Sequence, residues 1–394
     1  MYPNGVMTRR QFVTLAAGAI GVLAGCGQAA SVAKPSSTAA GSPPPSSATG
    51  PSAPAGADIF ARPDKVDSLE QELALPATIL DGAKREGKLS VISSWNQEPT
   101  AKVINAFRQR YSDIQVDHQT ADEEVRTVRT LTEFKAGHNR IDVAANIGGF
   151  LSQYRAANAL MPLNDLPAYA NYDPPLTSAD HTWVGYQLQI WAAGYNTANV
   201  KPAELPAQWL DLAQPAWKGR IGLGDRPQLW VQQLWKEWGA ERTTDFLKRL
   251  FANRPQPRKE GLDAIAQLMG AGEFDIVMPA STSRIERISH GGAPVNWLPL
   301  EPFTIAAGDI AILRGPNPNA AKVFVNWLIS REGNDAYWQA IPDVMAHPLL
   351  LRNRKYLGIF ADQIMTHRGS VQQPEDEETI LPMVSKLWQS LWLS

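Results

Sequence analysis

Cysteine is nearly missing from this chain: Cys26 is the single example in 394 residues. That excludes an internal disulfide and any metal cage built from several thiolates. An excess of one charge is missing too, with 37 Lys and Arg set against 39 Asp and Glu. A nucleic-acid partner would call for a basic surplus and a disordered tail for an acidic run, so neither is expected. The one apolar run near the N-terminus is shorter than the roughly 20 residues needed to span a bilayer. A Gly-x-Ser-x-Gly elbow, a His-Glu-x-x-His pair and a phosphate-binding loop are all lacking, which leaves no catalytic motif and no cofactor to expect. His118, His138, His181, His290, His347 and His367 are isolated along the chain, so surface or loop positions are their default. Glu123-Glu124 and Glu375 to Glu378 read as solvated carboxylate runs. An exported hydrolase would have to assemble its carboxylates from distant segments.

What is present begins with an address. Thr8-Arg9-Arg10-Gln11-Phe12 precedes the apolar stretch Val13 to Ala24, and Leu23-Ala24-Gly25-Cys26 follows the pattern of a bacterial lipobox. Arginines, a short apolar run and small residues make an export signal. The arginine pair resembles the twin-arginine signal, with the general secretory route as the alternative. In a lipobox the cysteine is acylated and becomes the new N-terminus. Residues 1–26 are therefore read as the signal and 27–57 as a Ser, Ala, Pro and Gly tether. Such a segment has too little apolar surface to offset its ordering entropy.

From Asp81 onward the pattern alternates. Leu89 to Ile92 reads as a strand, Thr100 to Arg110 as a helix, and Ile114 with Val116 as a second strand. Val125, Val128, Leu131 and Phe134 fit a helix closed by Gly137, and Ile141 to Ala144 a third strand. A second unit runs from Arg220 to Leu223 through helices at Val231 to Trp238 and Leu262 to Met269. It ends in a strand at Phe274 to Met278 and a loop at Pro279 to Thr282. Strands separated by helices at these lengths argue for parallel sheets with covering helices. Two extended stretches, Gln187 to Tyr195 and Phe303 to Leu313, lie outside the units, and Ala320 to Ser330 resumes a helix.

Several stretches then occur together in one order: Glu86-Gly87-Lys88-Leu89, Phe107 to Tyr111, Phe134-Lys135-Ala136-Gly137 and Gly194-Tyr195-Asn196-Thr197. They continue with Trp217-Lys218-Gly219-Arg220-Ile221, Gly270-Ala271-Gly272-Glu273, Gly291-Gly292-Ala293-Pro294-Val295, Pro318 to Lys322 and Trp327-Leu328-Ile329-Ser330. Over about residues 81–347 this resembles the extracellular solute-binding proteins of ABC importers, in the ferric-iron-binding-like group. The resemblance implies an α/β fold of the type II periplasmic-binding-protein kind, with two lobes of mixed sheet flanked by helices and a two-strand hinge. Lobe 1 is placed at about 81–188 plus 314–394, lobe 2 at about 196–302, and the hinge at about 187–195 and 303–313. The segment after Leu349 is expected to add helices to a lobe. A monomer anchored outside the cytoplasm through a lipid on Cys26, in periplasm or at the cell surface, would hold a small ligand. It would pass that ligand to permease and ATPase subunits and catalyse nothing itself. A sensory protein that kept the lobes is the rival within the same fold.

Ligands of open α/β sheets sit beyond the carboxyl ends of strands. Those ends nominate Ser93, Ser94, Trp95, Asn146, Gly148 and Gly149 in the first unit, and Asp225, Arg226, Trp230, Ser281 and Thr282 in the second. Tyr186, Trp191 and Tyr195 belong in or beside the first crossover. Each has a plainer reading. The serines would cap the next helix, the glycines would serve a turn, Trp95 would anchor a core, Arg226 would form a surface ion pair, and the Tyr195 hydroxyl would satisfy hinge backbone. Among the 13 tryptophans, Trp235, Trp238 and Trp327 fall at core spacing, Trp209 and Trp217 on a lobe surface, and Trp183 near a cleft edge. Iron-binding members of the group commonly use adjacent tyrosines. No Tyr-Tyr pair occurs here, so an organic or oxyanionic ligand is preferred to iron and no metal residues are assigned.

Overall fold

The computed structural model describes residues 65–342, 344–358 and 361–393. The export signal, Cys26 and the tether lie outside the described residues. Eleven strands are described: β1 (Lys88–Ser93), β2 (Gln115–Thr120), β3 (Val143–Ala145), β4 (Val184–Asn196), β5 (Ile221–Gly224), β6 (Gln256–Arg258), β7 (Ile276–Ser281), β8 (Val295–Leu298), β9 (Phe303–Ile312), β10 (Val344–Met345) and β11 (Gly369–Gln372). Their hydrogen-bonded path runs β2-β1-β3-β9-β4-β7-β5-β6. β1, β2 and β3 are mutually parallel, as are β5, β6 and β7. β3 pairs antiparallel with β9, β9 with β4, and β4 with β7. The chain is a mixed α/β protein with the two-lobed architecture expected.

Helices cover both sets of parallel strands. Gln97–Arg110 buries Val103 and Phe107, and Phe107 meets Phe324 and Trp327 of the helix Pro318–Leu328 edge to face. That helix starts three residues earlier than Thr100, with Asn96 at its N-cap and Pro99 in its first turn. Proline is tolerated in a first turn because its missing N–H would have had no partner there. Val125 to Phe134 is less regular than its spacing suggests, opening as a wide turn over Val125–Arg129 in which Thr130 Oγ1 bonds Val125 O at 2.8 Å. β7 runs on to Ser281 and the helix Thr282–His290 begins at once, so no loop separates them.

The segment beyond Leu349 differs most from expectation, because it contains a strand. β11 lies parallel to β9, with Gly369 opposite Phe303 and Gln372 opposite Ala306. β3 bonds that edge of β9 only at Ile310 to Ile312, and the remaining backbone groups need partners. Gly369 suits the role because a Cβ there would strike the Ile305 and Phe303 side chains. The helix Leu381–Trp392 then buries Val384 and Trp388 in one core with Trp209, Trp230 and Phe246. The helix Leu381–Trp392 thus packs on the second lobe, while Pro374–Thr379 before it also meets the first lobe at Gly149 and Arg155.

Two other expectations change. Trp209 is buried, with its indole N–H donating to Pro302 O at 3.0 Å. His347 is fully buried instead of lying at a surface, and its Nε2 sits 2.9 Å from Glu72 Oε1. Glu72 also accepts from Asn171 Nδ2 at 2.9 Å and from the Arg331 backbone N–H at 2.8 Å, and it pairs with the Arg331 guanidinium at 2.9 Å. Burial alone would raise this carboxyl's pKa, but hydrogen bonds from His347 and Arg331 outweigh it and hold the group below its ordinary value. Its stabilising contribution is therefore present above the usual carboxylate range and lost as pH falls through the lowered pKa. Glu72→Ala leaves buried partners unpaired, and the expected loss is about 3 kcal/mol in urea unfolding at neutral pH.

Candidate ligand-binding cleft

Register fixes where the two sets of strand ends face one another. Ala145, the last residue of β3, lies opposite Ile310, and Ser281, the last of β7, lies opposite Trp191, which pairs with Thr304. β3 and β7 point toward each other, and about five residues of β9 lie between their ends, a separation on the order of 20 Å. Across this gap β4 and β9 continue, and Gln189, Ala306, Ala307 and Gly308 are half-exposed between buried neighbours. Gly308 is required by close approach: a Cβ would stand 2.7 Å from Gln187 Cγ and 3.2 Å from Asn146 Nδ2.

On the first-lobe side one hydrogen-bonded chain collects four nominated residues. Trp95 Nε1 donates to the Tyr186 hydroxyl at 2.6 Å, and that hydroxyl donates to Asn146 Oδ1 at 3.0 Å. Ser94 Oγ donates to the same Asn146 oxygen at 3.1 Å. Asn146 adopts φ 59°, a left-handed conformation that asparagine tolerates better than most residues. Ser94 is exposed, whereas Trp95 and Tyr186 are buried. Burial drives the Tyr186 phenol far above its usual range, so it holds its proton. Ser93 is turned away from the gap. Its Oγ accepts from Trp95 N at 3.0 Å and lies 2.8 Å from His118 Nε2. His118 in turn stacks on Trp95 with centroids 5.8 Å apart, and burial pushes its imidazole below the ordinary value.

The loop after β3 is already satisfied by carboxylates of the chain. Ile147 N–H and Gly148 N–H donate to Asp309 at 2.9 and 3.0 Å, and Gly149 N–H donates to Glu377 at 3.0 Å. Gly148 has φ 59°, so the turn itself demands glycine. Within the carboxylate run Glu375 to Glu378, Glu378 is exposed but the rest is engaged: Glu375 accepts from Trp183 Nε1 at 3.1 Å and Arg155 Nη2 at 2.6 Å.

On the second-lobe side Ser281 and Thr282 are buried at the junction of strand and helix, and Ser281 Oγ lies 2.9 Å from Ser283 Oγ. Trp191, also buried, carries the Arg284 guanidinium 5.4 Å above its ring, and its Nε1 has no hydrogen-bond partner. Arg284 donates to Asp263 at 2.9 Å, and Arg287 bonds the same carboxylate. A cavity of about 570 Å³ lies between the lobes here, with Asn96 and Gln189 on one side, Thr282, Ser283 and Arg284 on another, and Lys355 beside them. A larger hollow of about 790 Å³ lies between the helices Gln97–Arg110 and Arg331–Ala340. It is lined by the far half of the first of these helices, away from any strand end, so the inter-lobe cavity is the candidate.

Four nominated residues are elsewhere or apart. Tyr195 pairs with Ile276 at the opposite end of β7 from Ser281. Asp225 and Arg226 are exposed beyond β5 and do not line the cavity. Trp230 is 1% exposed, stacked on Trp209 at 5.4 Å, and belongs to the second lobe's core. Conversely, sequence reasoning missed Asn96, Gln189, Arg284, Lys355, Trp338 and Tyr356. Asn96 directly follows nominated Trp95, and Arg284 stands two residues beyond Thr282. Trp338 and Tyr356 arrive from distant segments with no local signature.

The family description "bacterial extracellular solute-binding protein" matches residues 102–347, more than half of the chain. The chain belongs to this family. An uncharacterized protein of Haemophilus influenzae is 30% identical over 177 residues, covering 42% of this chain and 50% of its own. The Fe(3+)-binding periplasmic protein of Serratia marcescens is 24% identical over 190 residues, covering 45% and 55%. The chain thus spans about half the length of these curated relatives. Among solved structures, iron-bound HitA from Pseudomonas aeruginosa superposes with a TM-score of 0.63 at 17% identity, covering 77% of this chain and 99% of that one. AfuA from Actinobacillus pleuropneumoniae, with fructose-6-phosphate bound, gives 0.61 at 18% identity, with 78% and 99% covered. At these identities the likeness establishes the fold. Among the described residues, no group of three or more His, Cys, Asp or Glu side chains is placed to hold a metal ion.

Trp230→Ala is expected to cost about 3–5 kcal/mol in urea unfolding, as removal of a large core side chain does. Arg284→Ala, at the cavity wall, is expected to change stability by less than about 1 kcal/mol.

Proposed function

We propose that this solute-binding protein is the lipid-anchored receptor of an ABC importer. It takes up a small polar ligand, organic or oxyanionic, between its lobes and hands it to a permease driven by ATPase subunits. The observation that carries this reading is the inter-lobe cavity itself, where strand ends of opposite direction meet over Gln189 and present Asn96, Thr282, Ser283 and Arg284. An arginine supported by Asp263 and resting on Trp191 suits a carboxylate or phosphate group, because a guanidinium offers paired donors in a fixed plane. Ser94 and Asn146 add neutral polar groups at the first-lobe edge. Ligand bridging both walls would favour closure through its differential affinity for the closed form. In this reading lobe 1 comprises about 81–188 with 314–366, lobe 2 comprises about 196–302 with 369–392, and β4 and β9 are the hinge.

Ferric iron is the second reading, favoured by the names of the Serratia relative and the Pseudomonas structure. Against it stand Ser281, Thr282 and Ser283 at the head of the second-lobe helix, where no tyrosine is placed, and the buried Tyr186 phenol. Native mass spectrometry of the untagged soluble body, purified from its own host, tests the choice. An organic or oxyanionic adduct is expected, and it should disappear in Arg284→Ala. An iron adduct that survives Arg284→Ala would overturn the assignment.

Membrane attachment is tested separately. Cys26→Ser is expected to abolish palmitate incorporation and move the chain from the membrane to the soluble fraction. Unchanged fractionation would rule out the lipid anchor.

A further inference from the structure

We infer that residues 369–392 form a strap tying the lobes together along one flank of the cleft, with the docking of Glu377 against the loop after β3 as a pH-dependent catch. The strap is rooted in the second lobe. Ser370 Oγ accepts from Gln233 Nε2 at 3.0 Å and donates to Glu237 at 2.7 Å, Lys236 pairs with Asp376 at 2.7 Å, and Trp388 meets Trp230 at 5.9 Å. Its middle reaches the first lobe. Arg155 pairs with Glu375 at 2.6 Å, Trp183 donates to the same carboxylate, and Gly149 N–H donates to Glu377 at 3.0 Å. The register explains the crossing. β11 ends opposite Ala306, whereas β3 ends opposite Ile310 on the same edge of β9. Residues 373–377 therefore pass over the open stretch between the two strand ends. Widening the cleft on this flank requires these first-lobe contacts to part.

The surroundings of Glu377 make its contact sensitive to protonation. Asp309 faces it from β9, Glu123 from the segment before Val125, and Asp376 from its own helix. Burial raises the Asp309 carboxyl as well, but two amides, Ile147 and Gly148, and Arg126 nearby oppose that rise, whereas Glu377 has one amide. Arg155 is engaged by Glu375 and Asp180, and Lys236 by Asp376. Glu377 itself receives one amide N–H, from Gly149, and Gln372 Nε2 at 2.9 Å. Burial, aided by these carboxylates, pushes its pKa from 4.5 up to about 7. A carboxyl whose docked pKa lies above its released value favours docking when protonated. That advantage is complete below the released value and is lost as pH rises through about 7.

Hydrogen exchange of the full chain, read by mass spectrometry over residues 146–151 and 369–379, tests the catch without any ligand. After correction for the intrinsic pH dependence of exchange, protection should fall about tenfold between about pH 6 and about pH 8. Glu377→Gln should stay protected at both values, while peptides of β1 stay unchanged throughout. Arg155→Ala should loosen the same peptides at both pH values yet keep the step between them. Equal protection of the wild type at both values, a step that persists in Glu377→Gln, or a step absent from Arg155→Ala would each overturn the proposal.

Discussion

β4 and β9 hydrogen-bond antiparallel from Val184 with Ile310 to Trp191 with Thr304, and that pairing determines everything about the cleft. A strand set bonded beside one of them has its carboxyl ends at one level. A set bonded beside the other, running the opposite way, has its carboxyl ends at a level some residues along. The two sets therefore confront each other instead of lying side by side. Helices follow the strand ends, so the first turn of Thr282–His290 and the Asn96 cap of Gln97–Arg110 come to the same cavity from opposite lobes. A slip of one residue between β4 and β9 would turn Gln189 and Trp191 to the other face. The register is protected by the burial of Leu188 and Ile190 on that other face.

Polar groups in the middle of this pairing tie the loops to the hinge. Asp309 is buried in β9, yet its carboxylate is met by the amides of Ile147 and Gly148. A buried carboxylate left unmet would cost several kcal/mol, so the β3 loop cannot move without β9. Asn146, Tyr186 and Trp95 extend the same constraint to the loop after β1. Two strand-end loops and a hinge strand thereby form one rigid wall. The stretch of β4 and β9 around Gln189 and Ala307 to Asp309, which no further strand bonds, is where bending between lobes would meet least resistance.

The alternation of strands and helices was legible because it rests on local periodicity, and the two hinge strands were legible because they are long and apolar. Positions next to a strand end were legible for the same reason: Ser94, Asn146 and Thr282 follow from where β1, β3 and β7 stop. Trp230 misled because proximity to a strand end in sequence says nothing of which way the ring turns, and here it turns onto Trp209. Glu375 to Glu378 misled because a carboxylate run looks solvated until Arg155, Trp183 and a backbone amide are brought to it by the tertiary fold. β11 was invisible for a related reason. Gly369 to Gln372 has weak strand character, and it pairs because β9 offers an unfilled edge.

The chemistry of the cleft suits holding and releasing more than reacting. Ser94, the exposed hydroxyl at the first-lobe edge, donates to an amide oxygen, which cannot accept its proton outright. Ser93, whose hydroxyl lies beside His118, is buried behind Trp95 and already accepts the Trp95 N–H. On the far side Arg284 shares Asp263 with Arg287. Under the proposed reading an incoming anion would compete with that carboxylate for the guanidinium, and the carboxylate would reclaim it on departure. Preorganisation by Trp191 keeps the arginine aimed while Asp263 keeps it compensated when the site is empty. In a receptor that surrenders its cargo to a second protein, as proposed, a carboxylate already paired with the arginine would ease release by taking the guanidinium back.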